Sequence, residues 1–187
     1  MALTEFQESK HIRWFEIMDK NMDGVLSRQD WDLLGQNFCA VTGVSSRATE
    51  YPDILGIFSA QWRAICRLSK MEDDSEITLV DFLRFSDQVL VSSSDEDYTA
   101  TMHDHLRAIF DVFDQNSDNR WSLAEWGQAY AVWGVHPFLA DQAFQVIDTD
   151  GDGYIDFSEF CNAVREYQRS NDPQVPGNRL FGARHPV

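Results

Sequence analysis

One twelve-residue stretch constrains the chain more than any other: residues 148–159 read DTDGDGYIDFSE. Oxygen-bearing groups recur at positions 1, 3, 5, 7, 9 and 12 of this stretch. The donors are the side chains of Asp148, Asp150, Asp152, Asp156 and Glu159 and the backbone carbonyl of Tyr154. Ca²⁺ takes six to eight oxygen ligands at about 2.3–2.6 Å, and Gly153 allows the sharp turn that closes such a loop. The pattern predicts a calcium site.

A second stretch of the same kind covers residues 19–30, DKNMDGVLSRQD. Its donors are the side chains of Asp19, Asn21, Asp23, Ser27 and Asp30 and the carbonyl of Val25. Only position 12 departs from the pattern, because Asp30 is one methylene shorter than glutamate. We expect Asp30 to bind less readily through both oxygens, which favours Mg²⁺ relative to Ca²⁺ at this loop.

A third stretch, residues 114–125, reads DQNSDNRWSLAE. Its donors are the side chains of Asp114, Asn116, Asp118, Ser122 and Glu125 and the carbonyl of Arg120. Asn119 replaces glycine at the turn, and asparagine tolerates the left-handed conformation better than most residues. Since Arg120 offers its carbonyl, its side chain is expected to be nearly irrelevant to coordination. The chain is thus predicted to hold three Ca²⁺ ions, with Mg²⁺ competing.

Such loops normally occur in pairs, so a fourth is expected between the first and the third. Residues 70–81, KMEDDSEITLVD, keep Ile77 at position 8 and Asp81 at position 12 but have Lys70 at the first ligand position and Ser75 at the turn. We interpret this stretch as a degenerate loop that retains its β-bridge without a metal. The alternative is an acidic linker with no regular structure.

Apolar residues at spacings of three and four flank the loops and predict helices. Thr4 and Gln7 form a capping-box pattern before the first helix, and Pro137 suits the first turn of another. The expected fold is compact and all-α, with four helix-loop-helix units in two lobes and short β-bridges pairing Leu26 with Ile77 and Trp121 with Ile155. The predicted divisions are residues 1–92, residues 97–170 and a tail at residues 171–187.

Composition excludes several functions. The net charge of −16 argues against nucleic acid as a partner, and no apolar run is long enough to span a membrane. No nucleophile motif or phosphate-binding glycine loop is present, so we expect no enzyme activity. His103 and His105 are expected to be exposed on different faces of one helix. Without a signal-peptide pattern at its start, the protein is expected to be a cytoplasmic monomer.

The twelve-residue loops match the EF-hand pattern. Intact loops at 19–30, 114–125 and 148–159, with a degenerate loop at 70–81, resemble the sarcoplasmic calcium-binding proteins of invertebrates, including the neuronal calexcitin type. Residues 170–182, SNDPQVPGNRLFG, resemble the closing segment of that family. The resemblance implies a compact four-hand fold, calcium or magnesium in the intact loops and an intracellular buffering role, with calcium-dependent signalling as an alternative.

The tail carries an apolar pair that we expect to dock between the lobes. Pro173, Pro176 and Gly177 prevent the last helix from continuing, and Leu180 and Phe181 would otherwise be exposed. A calcium sensor opens an apolar groove that is often rich in methionine, whereas this chain has five methionines. These features favour a buffer over a protein-target sensor.

A different class of function is carried on the same fold by the photoproteins and luciferin-binding proteins of coelenterates, which hold coelenterazine in a central cavity. The photoprotein pattern expects His, Trp and Tyr at the positions of Val164, Gln168 and Phe181. Their absence disfavours light emission. Binding of coelenterazine or another small molecule without chemistry remains open.

Overall fold

The computed structural model describes residues 3–181. Within them eight α-helices are arranged in four helix-loop-helix units, and the predicted all-α EF-hand architecture is confirmed. The helices are α1 (Glu5–Met18), α2 (Arg28–Thr42), α3 (Tyr51–Ser69), α4 (Leu79–Phe85), α5 (Asp95–Phe113), α6 (Leu123–Trp133), α7 (Pro137–Ile147) and α8 (Phe157–Arg169). None of these helices has the length and apolar character needed to cross a bilayer.

Four short strands join the loops in pairs. They are β1 (Val25–Leu26), β2 (Ile77–Thr78), β3 (Arg120–Ser122) and β4 (Tyr154–Asp156), and each pair is antiparallel. Leu26 lies opposite Ile77, and Trp121 lies opposite Ile155, so both predicted bridges are confirmed. All four of these side chains are at most 1% exposed. Position 8 of each loop therefore contributes both a strand residue and a core residue.

Local signals in the sequence set the helix ends. Thr4 and Gln7 form the predicted reciprocal capping box at the start of α1, and α7 begins at Pro137 as expected. Gly43 and Gly134 end α2 and α6 in the left-handed conformation, with φ of 78° and 68°. These caps satisfy backbone groups that have no partner within the helices.

An aromatic core joins the units. Phe110 stacks on Trp121 at 4.8 Å between ring centroids, and Trp121 in turn packs on Trp126 and Phe160. The indole N–H of Trp126 donates to the carbonyl of Ala140, which allows this polar atom to be buried. Each fully buried aromatic side chain contributes about 2–3 kcal/mol of hydrophobic free energy before conformational entropy is subtracted.

Side chains of α1 cap the last turn of α8, which brings the beginning of the chain against its end. Gln7 Nε2, Lys10 Nζ and His11 Nε2 lie 2.7, 2.8 and 3.0 Å from the carbonyl oxygens of Arg169, Ser170 and Gln168, respectively. Desolvation lowers the pKa of Lys10 to about 8 and that of His11 to about 4. We refer to these three contacts as the α1–α8 clasp.

The tail folds back onto α8 and α6. A 3₁₀ turn at Pro176–Arg179 places Gly177 so close to α8 that a Cβ atom there would lie 2.3 Å from the carbonyl of Ala163. Leu180 and Phe181 follow and are 1% and 7% exposed. The remainder of the predicted tail, residues 182–187, lies outside the described residues.

Two features differ from the sequence-based expectations. α4 continues into a π-helical turn at Ser86–Val91, which no pattern indicated. The expectation that His105 is solvent-exposed was wrong. His105 is partly buried, and its Nδ1 atom is buried without a hydrogen-bond partner among the described residues. The two-residue spacing put His103 and His105 on different faces, as expected, but only the face of His103 is exposed.

Candidate calcium sites

The three intact loops begin with one backbone conformation. Asp19, Asp114 and Asp148 each end the preceding helix with φ between −75° and −67° and ψ between 79° and 85°. The N–H of each residue still donates to the carbonyl four residues earlier. In each of the three loops the helix thus ends at the first predicted ligand, and the backbone makes the same turn there.

Two left-handed residues then shape each intact loop, at positions 4 and 6. They are Met22 and Gly24, Ser117 and Asn119, and Gly151 and Gly153, with φ between 58° and 88°. Asn119 therefore makes the turn that was predicted for it, at φ 66°. Among the described residues of the 70–81 stretch only Lys70 has positive φ, so that stretch lacks the turns.

The carboxylate at position 1 is held by the loop backbone. In the last loop, Asp148 Oδ1 accepts from the N–H of Asp152 at 3.1 Å, and Oδ2 accepts from the N–H of Gly153 at 3.0 Å. Asp19 and Asp114 make the same pair of contacts in their own loops, at 2.8–3.2 Å. These hydrogen bonds hold the position-1 side chain inside the loop without the help of a bound ion.

The carboxylate at position 12 joins the two ends of each intact loop. Glu125 accepts from the N–H of Gln115 at 3.0 Å and from the N–H of Ser122 at 2.8 Å. Glu159 accepts from the N–H of Thr149 at 2.7 Å and from that of Asp156 at 3.1 Å. These hydrogen bonds orient the carboxylate at position 12 toward the inside of its loop.

The last loop has the donor set that best suits a hard cation. Ligand oxygens of Asp148, Asp150 and Asp152 lie within 4.8 Å of one another. Carboxylate oxygens at this spacing match the ligands that Ca²⁺ takes. The residues present therefore fit a bound calcium ion.

Asp30 closes the first loop from a buried position. Its Oδ1 accepts from the N–H of Lys20 and its Oδ2 from the N–H of Ser27, both at 2.8 Å, and the side chain is fully buried. Aspartate thus reproduces the bridging contacts that glutamate makes in the other two loops. The shorter side chain is accommodated with no break in the loop.

The third loop contains a cation of its own. Arg120 Nε lies 3.4 Å from Asp118 Oδ2, and the guanidinium carbon lies 3.7 Å from the centroid of the Tyr154 ring. The sequence-based prediction that this side chain is nearly irrelevant to coordination stays a prediction, and its contact with Asp118 is an addition to it.

The stretch at 70–81 uses its acidic end differently. Asp81 Oδ2 accepts from the hydroxyl of Thr78 at 2.6 Å, and Oδ1 lies 3.2 Å from the guanidinium of Arg84. In the described residues Asp81 is not bonded to the beginning of its own loop, unlike the three position-12 carboxylates described above. The alternative of a linker without regular structure is excluded by β2, and the predicted β-bridge is present.

Between the paired units lies an apolar cavity of about 90 Å³. Residues of α1, α2, α5 and α8 line it, together with Leu180 and Phe181 of the tail. Its few polar groups include His105, whose pKa desolvation lowers to about 4, and Gln168, which accepts from the hydroxyl of Tyr98 at 2.7 Å. Val164, Gln168 and Phe181 all face this cavity.

Known proteins share these features. An EF hand domain model matches residues 139–167, and a second EF hand model matches residues 12–34. Polcalcin Aln g 4 of Alnus glutinosa is 41% identical over 71 residues, which are 37% of this chain and 82% of the polcalcin. Calerythrin of Saccharopolyspora erythraea is 20% identical over 153 residues, which are 82% of this chain and 86% of calerythrin.

Two solved structures resemble the whole fold. The coelenterazine-binding protein of Renilla muelleri, in its calcium-loaded apo form, superposes with a TM-score of 0.77 at 18% identity, covering 96% of this chain and 99% of that one. The sarcoplasmic calcium-binding protein of amphioxus gives a TM-score of 0.72 at 18% identity, covering 98% and 100%. The chain belongs to the EF-hand family of calcium-binding proteins. Within it, the four-hand fold is that of the sarcoplasmic calcium-binding proteins.

Proposed function

We propose that the protein is an intracellular Ca²⁺/Mg²⁺ buffer with three functional loops. The ions would be held by the predicted donors at positions 1, 3, 5, 7, 9 and 12 of the loops 19–30, 114–125 and 148–159. The loop at 70–81 would bind none, since Lys70 and Arg84 place positive charge at its two ends and the left-handed turns are missing. The protein has no catalytic role in this proposal.

The main support for a buffer role is that Leu180 and Phe181 of the tail fill the apolar space between α6 and α8. The ring of Phe181 packs on Trp133 at 5.6 Å and on Tyr167 at 5.1 Å between centroids, and Leu180 is 1% exposed. The hydroxyl of Tyr130 donates to the carbonyl of Leu180, which fixes the tail from the other side. A sensor needs this apolar surface for its target, whereas here the chain covers it itself.

Calcium titration with an environment-sensitive apolar dye tests the proposal. The buffer predicts calorimetric binding of three ions with no rise in dye fluorescence, and a marked rise would instead indicate a sensor. Glu159→Gln, Glu125→Gln and Asp30→Asn should each remove one site, while Asp81→Asn should remove none. Loss of a site on Asp81→Asn, or retention of all three sites in the other variants, contradicts the loop assignment.

Magnesium competition is proposed for the first loop in particular. Mg²⁺ demands a smaller, nearly octahedral shell, which an aspartate bound through one oxygen suits better than a bidentate glutamate. The buried, fully hydrogen-bonded Asp30 supports this choice. Calcium titrations repeated in millimolar Mg²⁺ should weaken apparent calcium binding most at this loop.

A second candidate function is the binding of coelenterazine, favoured by the aromatic lining of the central cavity and by the fold of the Renilla protein. One observation counts against it: the cavity of about 90 Å³ is well below the roughly 300–1,000 Å³ of typical ligand pockets. The absence of the photoprotein triad at Val164, Gln168 and Phe181 argues only against light emission, not against binding. A fluorescence titration with coelenterazine should give no saturable binding; a stoichiometric transition would support this candidate over a pure buffer.

A further inference from the structure

In each intact loop the carboxylate at position 5 has one oxygen bonded to the loop backbone and a second oxygen that faces side chains or solvent. Asp23 Oδ1, Asp118 Oδ1 and Asp152 Oδ1 accept from the N–H two residues later at 3.0, 3.1 and 2.8 Å, respectively. The other oxygen, Oδ2, is the one that a cation in the loop would use. What surrounds Oδ2 therefore bears directly on affinity.

The three Oδ2 atoms differ in their neighbours. Asp152 Oδ2 has no hydrogen-bond partner in the part of the chain that the structure describes, and Asp23 Oδ2 accepts from the neutral amide of Asn21 at 2.7 Å. Asp118 Oδ2 accepts from the amide of Asn116 at 3.1 Å and also from the charged guanidinium of Arg120 at 3.4 Å. Within residues 3–181, a positively charged side chain meets this oxygen in the third loop alone.

The guanidinium is held in place by the partner loop. β3 and β4 pair so that Ser122 lies opposite Tyr154, and the Tyr154 ring is therefore the diagonal neighbour of Arg120. At 3.7 Å from the ring centroid, the guanidinium stacks on the aromatic face while its Nε points to Asp118. The contact thus rests on two loops rather than on a free surface side chain.

We propose that Arg120 is a built-in counter-cation that sets the affinity of the third loop. It competes with the bound ion for Asp118 Oδ2 and repels the ion electrostatically, and it neutralises part of the acidic cluster when no ion is bound. The third loop would accordingly fill after the last loop as calcium rises. This inference rests on the proposed calcium site at residues 114–125.

Site-resolved NMR titration tests it. The position-6 N–H groups of Gly24, Asn119 and Gly153 each donate to the position-1 carboxylate of their own loop, so their amide signals report each loop separately. Arg120→Gln should raise calcium affinity at Asn119 by about three- to tenfold, as expected for removal of a unit charge a few ångströms from a divalent ion. Gly24 should change little, and the gain should shrink in 0.5 M salt.

Two control variants isolate the charge. Arg120→Lys keeps the positive charge, so the third loop should stay nearly as weak in calcium affinity as in the wild type. Arg63→Gln removes one exposed arginine of α3 and should leave the calcium midpoint at the Asn119 amide unchanged. A second readout needs no bound ion: in chelator, Arg120→Gln should unfold at a slightly lower temperature than Arg63→Gln, because the acidic cluster loses its counter-charge.

The failures are distinguishable. If Asn119 does not respond to calcium in the wild type, or responds equally in Glu125→Gln, the proposed site at the third loop is wrong and the inference is overturned with it. If Asn119 responds, Glu125→Gln abolishes the response and Arg120→Gln leaves the midpoint unchanged, the site stands and the role of Arg120 is overturned.

Discussion

The ammonium of Lys20 donates a hydrogen bond of 2.6 Å to the backbone carbonyl of Trp133, at the last turn of α6. Lys20 is the second residue of the first loop, and its own N–H donates to Asp30 at 2.8 Å. Lys20 therefore belongs to the first candidate calcium loop and also caps α6, the helix that follows the third candidate loop. A positive charge at a helix C-terminus also interacts favourably with the helix dipole.

Lys20→Met should lower the free energy of unfolding by about 1–2 kcal/mol, because a charge-assisted hydrogen bond to a partly buried carbonyl is lost. Urea denaturation at fixed calcium measures the change. Lys70→Met is the matched control, since Lys70 is exposed and its side chain has no partner among residues 3–181, and this variant should unfold as the wild type does. Equal effects of the two substitutions would show that the contact with Trp133 is not stabilising.

Gly177→Ala should displace the tail. Its added Cβ would lie 2.3 Å from the carbonyl of Ala163 and 2.6 Å from Glu166 Cβ, and such overpacking typically costs about 1–3 kcal/mol. Thermal unfolding and dye binding should report lower stability and newly exposed apolar surface. Gly56 lies in an exposed turn of α3, where an added Cβ atom would meet no atom within 4 Å apart from the helix's own backbone. Gly56→Ala should therefore stabilise the protein by about 0.5–1 kcal/mol. Unchanged stability of Gly177→Ala contradicts the packing of the tail on α8.

Asp30→Glu should increase the preference of the first loop for Ca²⁺ over Mg²⁺ by about tenfold, since the longer carboxylate can bind calcium through both oxygens. Competitive calcium and magnesium titrations followed at the Gly24 amide give the ratio of affinities. Asp81→Glu makes the same change at the degenerate loop and should create no new site. A constant ratio in Asp30→Glu would mean that position 12 does not determine selectivity here.

Acid should destabilise the fold through His11. Its pKa is lowered to about 4 by burial, so between about pH 6.5 and 4 the unfolded chain binds a proton that the folded protein does not. Stability is therefore highest above about pH 6.5 and falls below it by about 1 kcal/mol per pH unit from this residue. His11→Gln should remove that part of the slope in urea unfolding, and His103→Gln, at an exposed site, should retain it. Lys10, Gln168 and the ring of Phe82 surround His11.

Local sequence patterns were sufficient for the elements that depend on neighbours in the chain. The loop motif contains its own turn residues and caps, so the three intact loops, the strand register of Leu26 with Ile77 and the capping box of Thr4 could be predicted. The identity of the ions and of the ligands stays a prediction that the proposed titrations test.

Contacts between distant segments could not be predicted in the same way. The Arg120 guanidinium meets the Tyr154 ring only because β3 pairs with β4, and His105 is partly buried because α5 packs beside the central cavity. Lys20 and Trp133 are separated by 113 residues. The periodicity of a sequence does not indicate such contacts, because they depend on how the folded helices pack against one another and not on the conformational propensity of either segment.

The α1–α8 clasp joins residues 157–162 positions apart, so the first helix meets its polar partners only after α8 has been made. At about 5–20 residues per second, a ribosome needs roughly 10–30 seconds to supply them. Until then the α8 carbonyls that Lys10 and His11 contact in the folded protein do not exist, and α1 leaves the ribosome without these hydrogen bonds. The clasp can therefore close only after α8 has been made, and a chain that stopped before Gln168 would lose the polar partners of its first helix.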